Sequence, residues 1–273
     1  MGTVLYECAW EYNRHAFIPL MMLIGVVGVV EFYNLATAKS VAPQRGVGIA
    51  ASVALMLAAF SYGALLVYEC DDFVLAGISL LLLFFILCAL MFVVEVFRRR
   101  DNPILNIATT AMGVVYVALP LSLMSVVPIL LNQSEEAWNP WVFLCYLFLV
   151  WGNDVFAYLF GISFGRHKMC ERLSPKKSWE GFFGGVAGSL AMGVLGAYIT
   201  SGGYLVWIGL AVVVSLSSVV GDLVESMFKR DAGVKDSGSF IPGHGGMLDR
   251  FDALILSAPF AFIYIIAVTI FLS

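Results

Sequence analysis

Long apolar runs separated by short polar segments make up most of this chain. The runs are continuous and lack the period-two alternation of lipid-exposed strands, so they are typical of transmembrane helices. Each is close to the ~20 residues that a helix needs to cross the hydrocarbon core. They cover residues 16–37, 47–68, 73–97, 104–131, 140–164, 181–200, 203–227 and 253–272. The pattern predicts an all-α fold, a polytopic transmembrane helical bundle of about eight spans.

The fourth run, 104–131, is long and contains Pro120 and Pro128. Proline has no backbone N–H and collides with the preceding turn, so it kinks or breaks a helix. The sequence therefore leaves open whether this run forms one helix or two.

The composition agrees with a membrane protein. Apolar residues make up 61% of the 273-residue chain and charged residues 12%, whereas soluble domains contain ~25% charged residues. The segment before the first run lacks the basic start and the small-residue cleavage site of a signal peptide, so we expect that run to be retained as a span. The five cysteines are scattered without CxxC spacing, and we interpret them as packing residues.

Basic residues fall almost entirely in alternate loops. Fourteen of the fifteen lie in four of them: Lys39, Arg45, Arg98, Arg99, Arg100, Arg166, Lys168, Arg172, Lys176, Lys177, Lys229, Arg230, Lys235 and Arg250. Loops that face the cytoplasm are enriched in Lys and Arg. We therefore expect these four loops in the cytoplasm and both termini on the opposite side.

The polar segment KRDAGVKDSGSFIPGHGGMLDR, residues 229–250, joins the last two runs. Its glycines, together with Pro242 and His244, favour an irregular backbone that approaches a ligand closely and offers it N–H groups. Lys and Arg are donors for polyphosphate, whereas Asp236 and Asp249 would repel phosphate unless a cation stood between them. This combination predicts a site for a Mg²⁺-nucleotide complex. No histidine or cysteine has the spacing of a zinc site.

Three carboxylates lie inside the predicted spans of the C-terminal half. Asp222 and Glu225 share one helix face near the 229–250 segment, and Asp154 lies in the fifth run. Ionisable groups at membrane depth are costly and commonly functional. The alternative is that each carboxylate reaches the interface or pairs with a basic residue of a loop.

The segment SPKKSWEG, residues 174–181, precedes the sixth run. Ser174 or Ser178 is a candidate helix cap and Glu180 falls in the first turns, so part of this motif is helix-start chemistry. Lys176 and Lys177 beside a helix N-terminus also favour anion binding, because the exposed N–H groups and the helix dipole act in the same direction. We expect an anion site here.

Residues 226–252, SMFKRDAGVKDSGSFIPGHGGMLDRFD, resemble the signature of the phosphatidate cytidylyltransferase (CDP-diacylglycerol synthase) family along their whole length. The segments WGNDVFAYLFGISFGRHK, 151–168, and SPKKSWEG are similar to the same family, so the resemblance covers the C-terminal half. It implies a nucleotidyltransferase that transfers CMP from CTP to phosphatidic acid in phospholipid biosynthesis. We expect one integral membrane domain over 1–273, with N-terminal spans at 16–131 and a catalytic half at 140–272.

The resemblance and the residue chemistry together give a set of expected site residues. Those expected in catalysis are Asp222, Lys235, His244, Asp249 and Arg250. Those expected to bind substrate are Lys176, Lys177, Ser178, Lys229, Arg230, Gly245 and Gly246. Mg²⁺ is expected on Asp222 and Asp249, with Glu225, Asp236 and Asp252 as additional ligands and a second cation left open. Two close carboxylates repel each other unless a cation balances them, which is why we expect the ion at this pair.

Other classes of protein stay open. A CTP-dependent polyprenol or lipid kinase combines the same nucleotide with a membrane lipid, and an ion-coupled transporter would use the intramembrane carboxylates as an ion path. A CDP-alcohol phosphotransferase would carry a DGxxAR core, which this sequence lacks. We expect CTP, phosphatidic acid and membrane lipids as partners, no nucleic acid, and an active site that faces the cytoplasm from the cell membrane. The oligomeric state is open, with a homodimer as one candidate.

Overall fold

The computed structural model describes residues 17–68, 71–132, 139–240 and 245–272. Within these ranges, eight helices are long and apolar enough to cross a membrane. The elements are α1 (Phe17–Thr37), α2 (Arg45–Tyr68), α3 (Asp71–Arg98), α4 (Pro103–Gly113), a π-helical segment (Val114–Ala118), α5 (Leu119–Leu130), α6 (Pro140–Phe164), β1 (Lys168–Cys170), β2 (Ser174–Ser178), α7 (Trp179–Thr200), α8 (Tyr204–Asp231) and α9 (Leu248–Leu272). The predicted all-α, polytopic fold is confirmed.

The fourth run forms one span, Pro103–Leu130, in which α4, the π-helical segment and α5 follow each other without a break. Pro120 comes soon after the π-helical segment. In a regular α-helix its ring would collide with the carbonyl group of Tyr116. Tyr116 lies within the π-helical segment, whose longer turn relieves this collision. The run that the sequence left open is therefore a single span with a local bulge.

The last two spans extend further into the 229–250 segment than predicted. α8 continues to Asp231, and α9 begins at Leu248. Lys229 and Arg230 thus lie in the last turn of α8 and Asp249 in the first turn of α9, so the prediction of a loop at these residues was wrong. Hydropathy changes at the last apolar residue, but the helices continue. Basic groups at a helix C-terminus and an acidic group at an N-terminus interact favourably with the helix dipole.

A two-stranded antiparallel hairpin, β1 and β2, lies between α6 and α7 and was not predicted. Lys168 of β1 is paired with Ser178 of β2. The sequence signal for these strands is weak, because residues 168–178 show no clear apolar alternation and include Pro175. The lysines expected beside a helix N-terminus lie on β2, directly before α7.

The described residues group into two compact units. We call residues 127–227 and 252–272 the hairpin unit, and residues 17–126 and 228–251 the signature unit. The polar segment before α9 thus belongs with the N-terminal spans, although it is close in sequence to the other unit. The prediction of a single domain over 1–273 stays a prediction.

In the hairpin unit, α6 and α7 approach each other closely through glycines. A Cβ at Gly185 would lie 2.8 Å from Oδ1 of Asn153, and one at Gly188 would lie 2.6 Å from Cβ of Phe156. Small residues at such crossings let helix backbones approach in lipid. The crossing brings Asn153 and Asp154 of α6 to the same cavity as Ser178, at the start of α7.

In the signature unit, aromatic contacts hold α1 against the end of α8. The ring of Phe228 lies edge-on to those of Phe32 and Tyr116, with centroids 5.8 and 5.2 Å apart. Tyr33 is fully buried and donates a hydrogen bond to the Thr110 carbonyl oxygen at 2.8 Å. These contacts position α1 beside the polar segment of residues 228–251.

Candidate active site

Lys177, near the end of β2, forms an ion pair with Asp222 of α8: Nζ lies 2.6 Å from Oδ2. The ammonium group also donates a hydrogen bond to the Val219 carbonyl oxygen at 3.3 Å. The two side chains are 23% and 32% exposed. The pair joins a base and an acid from segments that are far apart in sequence, and both stay accessible to a ligand.

Several carboxyl groups lie around this ion pair in the hairpin unit. The carboxyl groups of Asp222 and Asp252 are within hydrogen-bonding distance of each other, and Glu225 interacts electrostatically with Asp252. Asp154 also interacts electrostatically with this pair: it is repelled by Asp222 and attracted by Lys177. Carboxylates at such close range repel each other unless a proton or a cation balances them. The cluster is therefore rich in negative charge and suited to bind cations.

A cavity of about 240 Å³ lies beside this cluster. Its wall combines charged groups with apolar and aromatic side chains: Asp154, Lys176, Lys177, Asp222, Tyr158 and Phe182. Pockets that enclose a whole drug-sized ligand measure roughly 300–1,000 Å³. The cavity is thus of a size for part of a larger substrate, and its mixed wall suits a phosphate group attached to an apolar or aromatic moiety.

The donor set suits a hard divalent cation. Mg²⁺ usually takes one or two carboxylates together with substrate phosphates and waters, and Asp222 with Asp252 forms such a carboxylate pair. In the same cavity wall, Asn153 has a buried Oδ1 that accepts no hydrogen bond from the described part of the chain. Among the described residues, no three His, Cys, Asp or Glu side chains form a complete metal site on their own. The residues fit an ion that is held partly by a substrate.

Asp249 belongs to the signature unit and is bound on both carboxylate oxygens. Its Oδ1 accepts a hydrogen bond from Nζ of Lys229 at 2.7 Å. Its Oδ2 lies within hydrogen-bonding distance of the Ser237 N–H (2.9 Å), the Ser237 hydroxyl (3.0 Å) and the Gly246 N–H (2.7 Å). These bonds hold the carboxylate in one orientation and join the two ends of the 229–250 segment.

The two glycines that were predicted to bind substrate lie in the turn before Asp249. Gly245 has a φ of 86°, a conformation that favours glycine, and a Cβ there would lie 2.8 Å from Oδ2 of Asp249. Gly246 donates its N–H to the same oxygen. The N–H of Gly246 therefore has an intramolecular partner, and a substrate contact of Gly245 stays a prediction.

Ser178 and Glu180 build the start of α7. The Ser178 hydroxyl oxygen accepts a hydrogen bond from the Gly181 N–H at 3.2 Å, as predicted for a helix cap. One Glu180 oxygen accepts the Arg166 N–H at 3.1 Å, and the other lies 2.6 Å from Nδ1 of His167. Glu180 thereby fixes the residues that enter the hairpin. A substrate contact of Ser178 stays a prediction.

The remaining predicted residues lie at the surface or outside the described ranges. The exposed ones are Lys176, Arg230, Lys235, Asp236 and Arg250. Lys235 and Asp236 make no hydrogen bond or ion pair with another described residue. His244 lies outside the described residues. The roles proposed for these six residues stay predictions.

The sequence interpretation missed Glu31, a buried carboxylate of α1. It accepts hydrogen bonds from the N–H groups of Met247 and Leu248, each at 2.9 Å, where α9 begins. A signal was present, because an ionisable residue inside an apolar span is functional by default. The same rule singles out Asp154, Asp222 and Glu225 in the C-terminal half.

The fold and this site define a polytopic helical membrane protein in which acidic and basic groups meet beside a cavity. The pattern of the cytidylyltransferase family matches residues 1–268, and the chain belongs to that family. It is 32% identical to the phosphatidate cytidylyltransferase of Synechocystis sp. over 92% of this chain and 88% of the relative. It is 32% identical to that of Rickettsia bellii over 70% and 84%, and 48% identical to that of Staphylococcus aureus over 43% and 46%. The resemblance seen in the C-terminal motifs is confirmed and extends over nearly the whole chain.

Proposed function

We propose that this protein is a phosphatidate cytidylyltransferase, which transfers CMP from CTP to phosphatidic acid and releases pyrophosphate. Family membership and the activity named for relatives similar along most of the chain support this reaction. The observation that carries it is the ion pair of Lys177 with Asp222, next to the carboxyl group of Asp252. Such a combination of cationic and acidic groups suits a nucleoside triphosphate with its Mg²⁺.

In this reaction a phosphate oxygen of phosphatidic acid attacks the α-phosphorus of CTP. The bond from that phosphorus to the oxygen bridging the α- and β-phosphates breaks, and pyrophosphate leaves with that oxygen. The attacking oxygen is already anionic near neutral pH, so no side chain has to remove a proton from it. The protein contributes by positioning the two phosphates and by stabilising the charge that develops on the leaving group.

Lys177 is suited to bind a phosphate. An ammonium group has three N–H donors, and the contacts to Asp222 and the Val219 carbonyl oxygen occupy two of them. The third is available to a phosphate oxygen in the adjacent cavity. Lys176 lines the same cavity and adds a second positive charge.

Asp222 and Asp252 would hold Mg²⁺ together with substrate phosphates, with Glu225 as a further acidic group of the same cluster. When bound, the ion would polarise phosphoryl oxygens and offset the charge of the leaving pyrophosphate. Without a cation, the two carboxyl groups repel each other at this short range. That Asp249 binds the same ion, that Asp236 contributes and that a second cation takes part stay predictions.

The charge distribution supports a cytoplasmic position for the polar segments 165–178 and 229–250, because Lys and Arg concentrate in loops on that side. CTP would then arrive from the cytoplasm and phosphatidic acid from the membrane. The oligomeric state stays open, with a homodimer as one candidate, and the expected lack of a nucleic-acid partner stays a prediction.

The test is incubation of the purified chain with phosphatidic acid, CTP and Mg²⁺, followed by analysis of lipid and nucleotide products. CDP-diacylglycerol and pyrophosphate are the expected products. A phosphorylated lipid with CDP would identify a CTP-dependent lipid kinase instead. Ion flux in proteoliposomes without CTP would favour a transporter.

A further inference from the structure

Glu31 lies within the apolar helix α1 and is only 5% exposed. Its Oε1 accepts the Met247 N–H at 2.9 Å, and its Oε2 accepts the Leu248 N–H at 2.9 Å and lies 3.2 Å from the Ser237 hydroxyl. A buried carboxylate is unfavourable unless hydrogen bonds or cations compensate it. The hydrogen bonds that the structure describes for Glu31 all come from residues 237–248.

Two glycines make room for this carboxylate. A Cβ at either Gly238 or Gly246 would collide with the Glu31 side chain. Glycine at these positions therefore lets the backbone of this segment approach a side chain of helix α1. Part of the glycine content of the 229–250 segment is explained by this contact.

Ser237 connects Glu31 to Asp249. Its hydroxyl oxygen lies 3.2 Å from Oε2 of Glu31 and 3.0 Å from Oδ2 of Asp249, and its N–H donates to the latter at 2.9 Å. A hydroxyl group has one proton to donate, so the two carboxylates compete for it. Glu31 also binds the N–H groups of the two residues that directly precede Asp249.

We propose that Glu31 is a positioning residue, which fixes the orientation of the Asp249 carboxylate through Ser237 and the first turn of α9. Its negative charge lies at the N-terminus of that helix, where the helix dipole favours it. Without these bonds, Ser237 and residues 245–248 would loosen and Asp249 would sample several orientations. The catalytic consequence rests on the proposed function, because Asp249 is a predicted site residue.

The first arm of the test measures hydrogen exchange without any turnover. Glu31→Gln keeps the size of the side chain but replaces one acceptor oxygen with an NH₂ group that faces N–H donors. The amides of Met247 and Leu248 should exchange about tenfold faster or more, because each loses a charge-assisted hydrogen bond to Glu31. The amides of Ser237 and Gly246 should exchange faster on the same scale, because the Asp249 carboxylate that they bind is no longer held in one orientation.

A matched control is Glu95→Gln. Glu95 is a buried carboxylate of the same unit that accepts hydrogen bonds from Gln44, Arg98 and Asn106. None of its hydrogen bonds or ion pairs involves a described residue of segment 237–249. This variant should leave the exchange of that segment unchanged.

The second arm measures turnover and its dependence on Mg²⁺. Residues that orient a ligand of a metal site typically change affinity or activity by about 10- to 100-fold when replaced. Glu31→Gln should lower turnover and raise the Mg²⁺ concentration for half-maximal activity on that scale, whereas Glu95→Gln should keep the wild-type Mg²⁺ dependence. Ser237→Ala should also lower turnover and raise the Mg²⁺ requirement. In the double variant the two losses should be smaller than their product, because both substitutions act through Asp249.

Wild-type exchange at Ser237 and Gly246 in folded Glu31→Gln would overturn the proposal, and so would faster exchange with unchanged turnover. If Glu31→Gln does not fold, Ser237→Ala with wild-type exchange and Mg²⁺ dependence would overturn it. A wild-type protein that makes no CDP-diacylglycerol would count against the proposed function alone, since the exchange measurement still reports on Glu31.

Discussion

Lys177 at the end of β2 and Asp222 in α8 meet as an ion pair, with Nζ 2.6 Å from Oδ2. The pair connects the SPKKSWEG segment with a carboxylate inside the seventh span. A charged group near the hydrocarbon core is unfavourable on its own, and the pairing compensates both groups. Because both side chains remain partly exposed, the pair can rearrange around a phosphate and a cation.

Replacing Lys177 by Ala should raise the KM for CTP and lower turnover, with a combined loss in kcat/KM of about 10²- to 10³-fold. The physical reason is the loss of a preorganised donor for a phosphate oxygen. Lys39→Ala is a matched control, because Lys39 forms an exposed ion pair with Asp231 at 3.0 Å, and such pairs contribute only ~0–1 kcal/mol. Steady-state kinetics at saturating phosphatidic acid measure both. Wild-type kinetics in Lys177→Ala would contradict the assignment.

Asp222→Asn should lower turnover by about 10²- to 10³-fold, on the scale of ~2.7–4 kcal/mol for one preorganised electrostatic group. The substitution preserves size, so the protein should still fold in detergent. The measurement is turnover against Mg²⁺ concentration. Near wild-type turnover at limiting Mg²⁺ would place the ion elsewhere, with Asp154 and Glu180 as the next candidates.

Asp252→Asn should abolish the stabilisation of the protein by Mg²⁺ without destabilising the metal-free protein. Without Mg²⁺ this variant should unfold at the same temperature as the wild type or higher, because one of two mutually repelling carboxyl groups is gone. Mg²⁺ should stabilise the wild type, since an ion that binds only the folded state raises its stability, and should have little effect on the variant. Thermal unfolding in detergent with and without Mg²⁺ measures this. Equal stabilisation of both proteins would remove Asp252 from the metal site.

Gly246→Ala should impair folding or turnover, because its Cβ would collide with Glu31 and Ser237. Gly46→Ala is the control, since a Cβ at Gly46, in the first turn of α2, has open space around it. Alanine favours a helix over glycine by roughly 1 kcal/mol, so the control should be neutral or stabilised. Equal unfolding temperatures and turnover in the two variants would show that the turn tolerates a side chain.

The spans could be predicted from the sequence because the length and periodicity of an apolar run indicate whether its residues face lipid or water. All eight predicted spans correspond to helices in the described residues. The C-terminal end of α8 and the first residue of α9 could not be predicted in this way. Lys229 is polar yet continues α8, and Asp249 is polar yet lies in the first turn of α9. Capping of the backbone groups, not hydropathy, decides where a helix stops.

The candidate site could also be predicted only in part. Residue types and spacing singled out Lys177, Asp222 and Asp249, because charges in apolar surroundings are informative on their own. Their partners depend on tertiary packing. The contacts of Glu31 with residues more than 200 positions later in the chain have no local signal, and neither does the pairing of Asp222 with Asp252.

The predicted topology has eight spans with both chain ends on the non-cytoplasmic side. In a variant without the five native cysteines, Arg172→Cys and Val234→Cys should react with a membrane-impermeant reagent from the cytoplasm, and Ser201→Cys from the opposite side. All three positions are exposed. Labelling of Ser201→Cys and Val234→Cys from the same side would refute the topology.

Transfer of CMP to phosphatidic acid is tested most directly by following the two ends of the CTP triphosphate separately. The purified chain is incubated with phosphatidic acid and Mg²⁺ in parallel reactions, one with CTP labelled at the α-phosphate and one with CTP labelled at the γ-phosphate. The account predicts α-label in the lipid fraction as CDP-diacylglycerol and γ-label in pyrophosphate, with both signals appearing about 10²- to 10³-fold more slowly in Asp222→Asn. Recovery of the γ-label in the lipid, with the α-label left in soluble CDP, would contradict it.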